Sequence, residues 1–62
     1  MKEIQFKKLE GDGELIQTLP VIPNTILPRR GDRVYINNKG YMVYSVMFDY
    51  DDHYILITCM TY

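Results

Sequence analysis

Hydrophobic positions alternate with polar ones along this chain in short runs. Glycine, proline, asparagine and aspartate break the runs about every 8–12 residues, the spacing of an all-β domain. In EIQFKKL, Glu3 to Leu9, the apolar residues Ile4 and Phe6 keep the two-residue period of a strand, with Leu9 at the end. GDGE, Gly11 to Glu14, is a turn by composition, because Asp-Gly tolerates positive φ. A second short strand, Glu14 to Leu19, closes at Pro20 and predicts a hairpin with the first.

The next segment, PVIPNTILP, carries prolines at 20, 23 and 28. They exclude a long helix, remove ladder donors and push Leu19, Ile22 and Leu27 toward extended geometry. Its apolar residues Val21, Ile22, Ile26 and Leu27 predict that it lies across the core, with room for one turn of 3₁₀ helix near Asn24.

The second half has the strongest strand signals. RVYI, Arg33 to Ile36, places Val34 and Ile36 on one face; NNKG, Asn37 to Gly40, is a turn; YMVYSVMFD, Tyr41 to Asp49, is rich in β-branched and aromatic residues. DYDD forms the following turn, and HYILITCMTY runs to Tyr62. Strict alternation leaves neither face of the long strand polar. A bulge near Tyr44 and Ser45 would resolve this by switching the inward set to Tyr41, Val43, Val46 and Phe48. The last strand then turns Ile55, Ile57 and Cys59 inward and Tyr54, Leu56, Thr58 and Met60 outward. Five short strands with one proline-rich crossing predict a small, strongly bent antiparallel barrel, which also removes sticky free edges.

The run PRRGDRVYINNKGYMVYSVMFDYDDHYILIT resembles the core of small SH3-like barrels, where a Pro-x-x-Gly-Asp segment leads into the second strand. A central hairpin, an Asp-rich turn and a closing strand follow in both. The likeness spans residues 27–60, about half of the chain. It implies that residues 1–62 form a single five-stranded SH3-like barrel domain. It also implies an accessory or binding role of the kind common in phage and mobile-element gene sets.

Composition narrows the chemistry. A 62-residue domain buries only about 60% of its unfolded surface and commonly relies on cross-links, metal or a partner. Cys59 is the single cysteine and His53 the single histidine, so an internal disulfide is excluded and a structural zinc site is not expected. A tight core or self-association, including a homodimer, is the expectation that remains. No apolar run reaches the roughly 20 residues of a membrane helix, and MKEIQF lacks the features of a signal peptide. With a free thiol, this suggests the cytoplasm and no membrane partner.

The net charge of −1 gives no bulk attraction to nucleic acid, although all seven lysines and arginines precede residue 40. No catalytic residues are assigned. Ser45 and His53 fall on facing strands beside Asp51 and Asp52, but a hairpin pair brings no oxyanion hole or deep pocket. DYDD lacks the central glycine and distal glutamate of a calcium loop, so neither a metal nor any other cofactor is expected. Cys59 reads as a small buried hydrophobe.

Six tyrosines are too many for one small core. Tyr35, Tyr44, Tyr54, Leu56 and Met60, with Met42 and Met47 nearby, are therefore expected to form an exposed protein-interface face, for a partner or for self-association. This makes a non-enzymatic interaction or structural module the first expectation. The alternative is a single-stranded nucleic-acid binder using Arg29, Arg30, Arg33, Tyr35 and Lys39, disfavoured by the aspartates at 32, 49, 51 and 52. Arg30-Gly31-Asp32 also spells a short adhesion tag, but three residues recur by chance, and the bend into a strand is the reading adopted.

Overall fold

The computed structural model describes residues Met1–Thr61. They form five strands: β1 (Glu3–Lys8), β2 (Leu15–Pro20), β3 (Arg33–Ile36), β4 (Lys39–Asp49) and β5 (Tyr54–Thr61). All belong to one sheet of order β2-β1-β5-β4-β3, curled into an open half-barrel consistent with an SH3-like fold.

The turns explain why the strands stop where they do. Asn37 and Asn38 both have positive φ, 51° and 66°, so they join Ile36 to Lys39 as the tight two-residue turn that fits strand twist. β4 therefore starts at Lys39, two residues before the expected Tyr41. The Asp49 carboxylate accepts the N–H groups of Asp51 (3.0 Å) and Asp52 (2.9 Å), which ties the acidic turn to its own first residue. The bulge falls where patterning placed it. Val43 opposes Cys59 and Ser45 opposes Thr58, leaving Tyr44 without a partner on β5. Val46 and Phe48 then oppose Ile57 and Ile55, so they continue the inward set of Tyr41 and Val43.

The core is the concave side of β1, β4 and β5. Ile4, Phe6, Tyr41, Val43, Ile55, Ile57 and Cys59 are buried there, and every second residue of β5 from Ile55 to Cys59 is inside. Ile16, Val21, Leu27, Val34, Ile36 and Val46 pack around them.

The sheet corrects the expected closed antiparallel barrel in two ways. It is mixed, because β1 runs parallel to β5. A parallel neighbour needs a long crossover, and β2, β3 and β4 supply it. Both strands of the pair start together, with Lys2 N–H donating to the His53 carbonyl at 2.7 Å, and Leu9 N–H bonds the Cys59 carbonyl at 2.8 Å near the far end. The sheet is also open, because β2 and β3 are its two edges and do not pair. β2 ends at Pro20, which has no N–H to donate, and Val21 N–H bonds the Lys2 carbonyl beside β1. Across the seam Asn37 Nδ2 donates to the Ile16 carbonyl at 3.4 Å.

The proline-rich crossing covers the open side only in part. Val21 and Leu27 pack on the core as expected, whereas Ile22 and Ile26 face solvent, Ile26 at 92% exposure. In place of the expected 3₁₀ turn stands a β-turn over Ile22–Thr25: Thr25 N–H bonds the Ile22 carbonyl at 3.1 Å, and Asn24, at φ 70°, lies outside the right-handed 3₁₀ range.

Candidate functional site

The most developed surface feature lies where β3 stops. β3 covers only Lys39–Met42 of β4, so from the bulge to Asp49 the strand has a neighbour on one side alone, β5. The segment before β3 takes part of that place. Asp32 N–H bonds the Arg29 carbonyl at 2.9 Å, closing a four-residue turn whose third position, Gly31, has φ 92°. That geometry favours glycine. The Asp32 carboxylate accepts Arg29 N–H at 2.8 Å and locks the turn from inside. Gly31 N–H bonds the Val43 carbonyl and Val43 N–H bonds the Asp32 carbonyl, each at 2.8 Å. The RRGD bend is thereby fastened to β4 one residue before its bulge.

This fastening shapes a groove. Leu27, Pro28, Arg29 and Arg30 form one wall, and Tyr44, Ser45, Val46 and Phe48 form the other; the cleft holds about 580 Å³. Its apolar lining comes from Leu27, Pro28, Val46 and Phe48. At one end the Arg30 guanidinium sits over the Tyr44 ring, 5.3 Å from the centroid. Such a contact orients the cation without neutralising it. Phe48 points to the concave side with the core residues yet remains 46% exposed, correcting its expected burial. The missing strand on its outer side is the reason.

Backbone groups also meet the groove. The Cys59 carbonyl is directed at Leu9, toward β1, so alternation directs Ile57 and Ile55 the same way and Thr58 and Leu56 toward β4. Across the ladder, Ser45 and Met47 face β5, while the N–H and C=O groups of Val46 and Phe48 face the edge that β3 leaves uncovered. The two residues on the groove floor thus also present a strand edge to it.

The residues expected at a protein interface fall in separate places. Tyr54, Leu56 and Met60 lie half-buried on the convex face of β5, opposite Asp49, Met47 and Met42. Tyr35 is exposed on edge strand β3 opposite Gly40, and Tyr44 belongs to the groove. The residues weighed for nucleic acid are divided too. Arg29 and Arg30 flank the groove and Asp32 follows them in the same turn. Arg33 and Tyr35 alternate with the inward Val34 along β3. Lys39 lines the β2–β3 seam with Lys8 and Glu14, which are themselves 3.5 Å apart. Among the described residues they form no continuous basic and aromatic patch.

Ser45 opposes Thr58, while His53 precedes Tyr54, which opposes Asp49; strand pairing does not bring the serine and histidine together. Among the described residues no cluster of three or more histidine, cysteine or acidic side chains is arranged to hold a metal, and no helix is long and apolar enough to cross a membrane. Burial pushes the Cys59 thiol above its ordinary pKa. Glu10 is held below the usual carboxylate range, chiefly because it accepts the Thr61 N–H at 3.1 Å.

Sequence reasoning missed the groove because its walls come from a loop and from the half of a strand that looked buried. One signal was present: an apolar-Pro-Arg-Arg segment precedes a strand too short to cover its longer hairpin partner. No protein-family model, curated protein or solved structure matches the chain.

Proposed function

We propose that this chain is a non-enzymatic protein-interaction module that takes an extended segment of a protein into the groove beside β4. The observation that carries the reading is the coincidence of a free strand edge and an apolar floor in Val46 and Phe48. Strand addition uses both: main-chain hydrogen bonds to the edge supply affinity, and alternate side chains of the added segment fill the floor. Arg29 and Arg30 at one end favour carboxylates there, which sets the direction and charge of the segment.

The tyrosine- and methionine-rich convex face is the second surface of the same reading. Met47 opposes Leu56 and Met42 opposes Met60 across β4 and β5, giving an apolar strip suited to a flat partner or to self-association. Its residues other than Met47 are half-covered by their own neighbours, so the groove offers the more specific contact.

A peptide of alternating valine and threonine with two aspartates at one end is the direct probe. Titrated into ¹⁵N-labelled protein, it is expected to shift the amides of Val46, Phe48, Arg29 and Arg30. Shifts confined to Met47, Leu56 and Met60 would move the site to the convex face. A mixed oligonucleotide that shifts Arg29, Arg33 and Tyr35 at low salt, where the peptide shifts nothing, would favour the nucleic-acid reading instead.

A further inference from the structure

The geometry points to a second copy of this chain as the occupant of the groove, joined edge to edge through β4 about a two-fold axis. This inference rests on the strand-addition reading and specifies the segment that is added.

The register follows from which residues face the open edge. Val46 and Phe48 both do, so an antiparallel pairing that exchanges hydrogen bonds places Val46 of one copy opposite Phe48 of the other, and the reverse. The two-fold axis then passes beside Met47. Counting outward from that pair brings Tyr50 of the second copy to the bulge at Tyr44, where the ladder ends because the outward N–H and C=O of Val43 are already bonded to Asp32 and Gly31; the residues after Tyr50 then meet the RRGD bend. Val43 is the residue to which the RRGD bend is fastened, and Tyr44 is the ring beneath Arg30.

The acidic turn of each copy is therefore carried to the arginine turn of the other. Tyr50 is 76% exposed at the tip, and Asp51 and Asp52 are exposed beside it, while Asp49 is engaged in closing the turn. Arg29 and Arg30 are exposed on the receiving side. An interface between identical copies must be self-complementary, each copy offering both halves of every contact. Here the acidic half and the basic half sit at opposite ends of one strand edge, which is the arrangement a two-fold requires. Pairing would also cover the half-exposed Phe48 and satisfy the edge groups that β3 leaves open.

Sedimentation equilibrium tests this with two charge-reversed variants, Arg29→Glu/Arg30→Glu and Asp51→Arg/Asp52→Arg, all at exposed positions and with Asp49 retained. The wild type is expected to dimerise, and each variant alone to dimerise at least about tenfold more weakly, since like charges then face each other. An equimolar mixture of the two variants restores both contacts and should form a heterodimer near wild-type affinity. Val46→Pro, which removes an edge donor where proline is tolerated, should abolish dimerisation while the far-ultraviolet circular dichroism stays that of the folded sheet.

A wild type that stays monomeric at millimolar concentration overturns the second copy. If the probe peptide still shifts Val46 and Phe48 in that monomer, the groove reading survives without it; if not, both fall. A dimer unaffected by all three variants also overturns the proposal and directs attention to the methionine face.

Discussion

The two halves of β4 differ in one respect, and the difference organises the molecule. From Lys39 to Val43 the strand lies between β3 and β5, and its inward residues Tyr41 and Val43 are 3% and 1% exposed. Beyond the bulge the alternation continues, now facing Ile57 and Ile55, but Val46 is only half-buried and Phe48 is 46% exposed. Side-chain type does not explain this, since both halves carry an aromatic and a valine on the same concave face. The outer neighbour does. Burial in a sheet this small is decided by whether a flanking strand is present, and the groove begins where it is absent.

The sharpest way to break that comparison is to truncate one aromatic in each half. Tyr41→Ala should cost about 3–5 kcal/mol, enough to unfold much of a marginally stable domain. Phe48→Ala should cost about 1 kcal/mol, because much of its ring is already in water. Urea denaturation of the two variants measures both, and equal losses would mean that Phe48 is as enclosed as Tyr41.

Cys59 probes the covered half by a different route. Its thiol opposes Val43, is fully buried, and titrates above its ordinary range because burial penalises the thiolate. A folded-state pKa above the unfolded value means that the native state holds the proton more tightly. The stabilisation is complete below the unfolded thiol pKa of about 8.5 and is lost progressively as pH rises past it. Denaturant midpoints measured at about pH 8 and pH 10 should therefore fall more steeply for wild type than for Cys59→Ala. Parallel slopes would show that the thiol ionises as freely in the fold as in the open chain. The native thiol should also react slowly with alkylating reagents until the protein is unfolded.

The strand pattern was legible to the extent that local chemistry determines it. All five strands, the Asn-rich and Asp-rich turns and the bulge at Tyr44 follow from alternation and turn residues, and so does the inward set of β5. Alternation says which face a side chain takes but not which strand lies beside it. The parallel pairing of β1 with β5 joins segments some fifty residues apart, and no nearby residue encodes it. The open seam and the groove depend on the lengths of β2 and β3 relative to their partners, a property of assembled strands. For the same reason alternation points Phe48 into the core and the apolar crossing predicts Ile22 and Ile26 over it, whereas the structure leaves all three exposed.

Ile26 gives the finest test of the open half, with the smallest expected effect on stability. The side chain is 92% exposed, so Ile26→Ser removes almost no buried apolar area and should change stability by no more than about 0.5 kcal/mol. Leu27, its neighbour, is packed on the core and half-buried, and Leu27→Ser should cost several times more. The pair therefore measures how much of the proline-rich crossing belongs to the core and how much only spans it. If Ile26→Ser cost as much as Leu27→Ser, the crossing would be closing the half-barrel as a lid, and the groove beside it would be shallower than its walls indicate. If the variant is neutral, the crossing is anchored at Val21 and Leu27 alone. Its exposed isoleucines are then apolar surface the fold itself does not use.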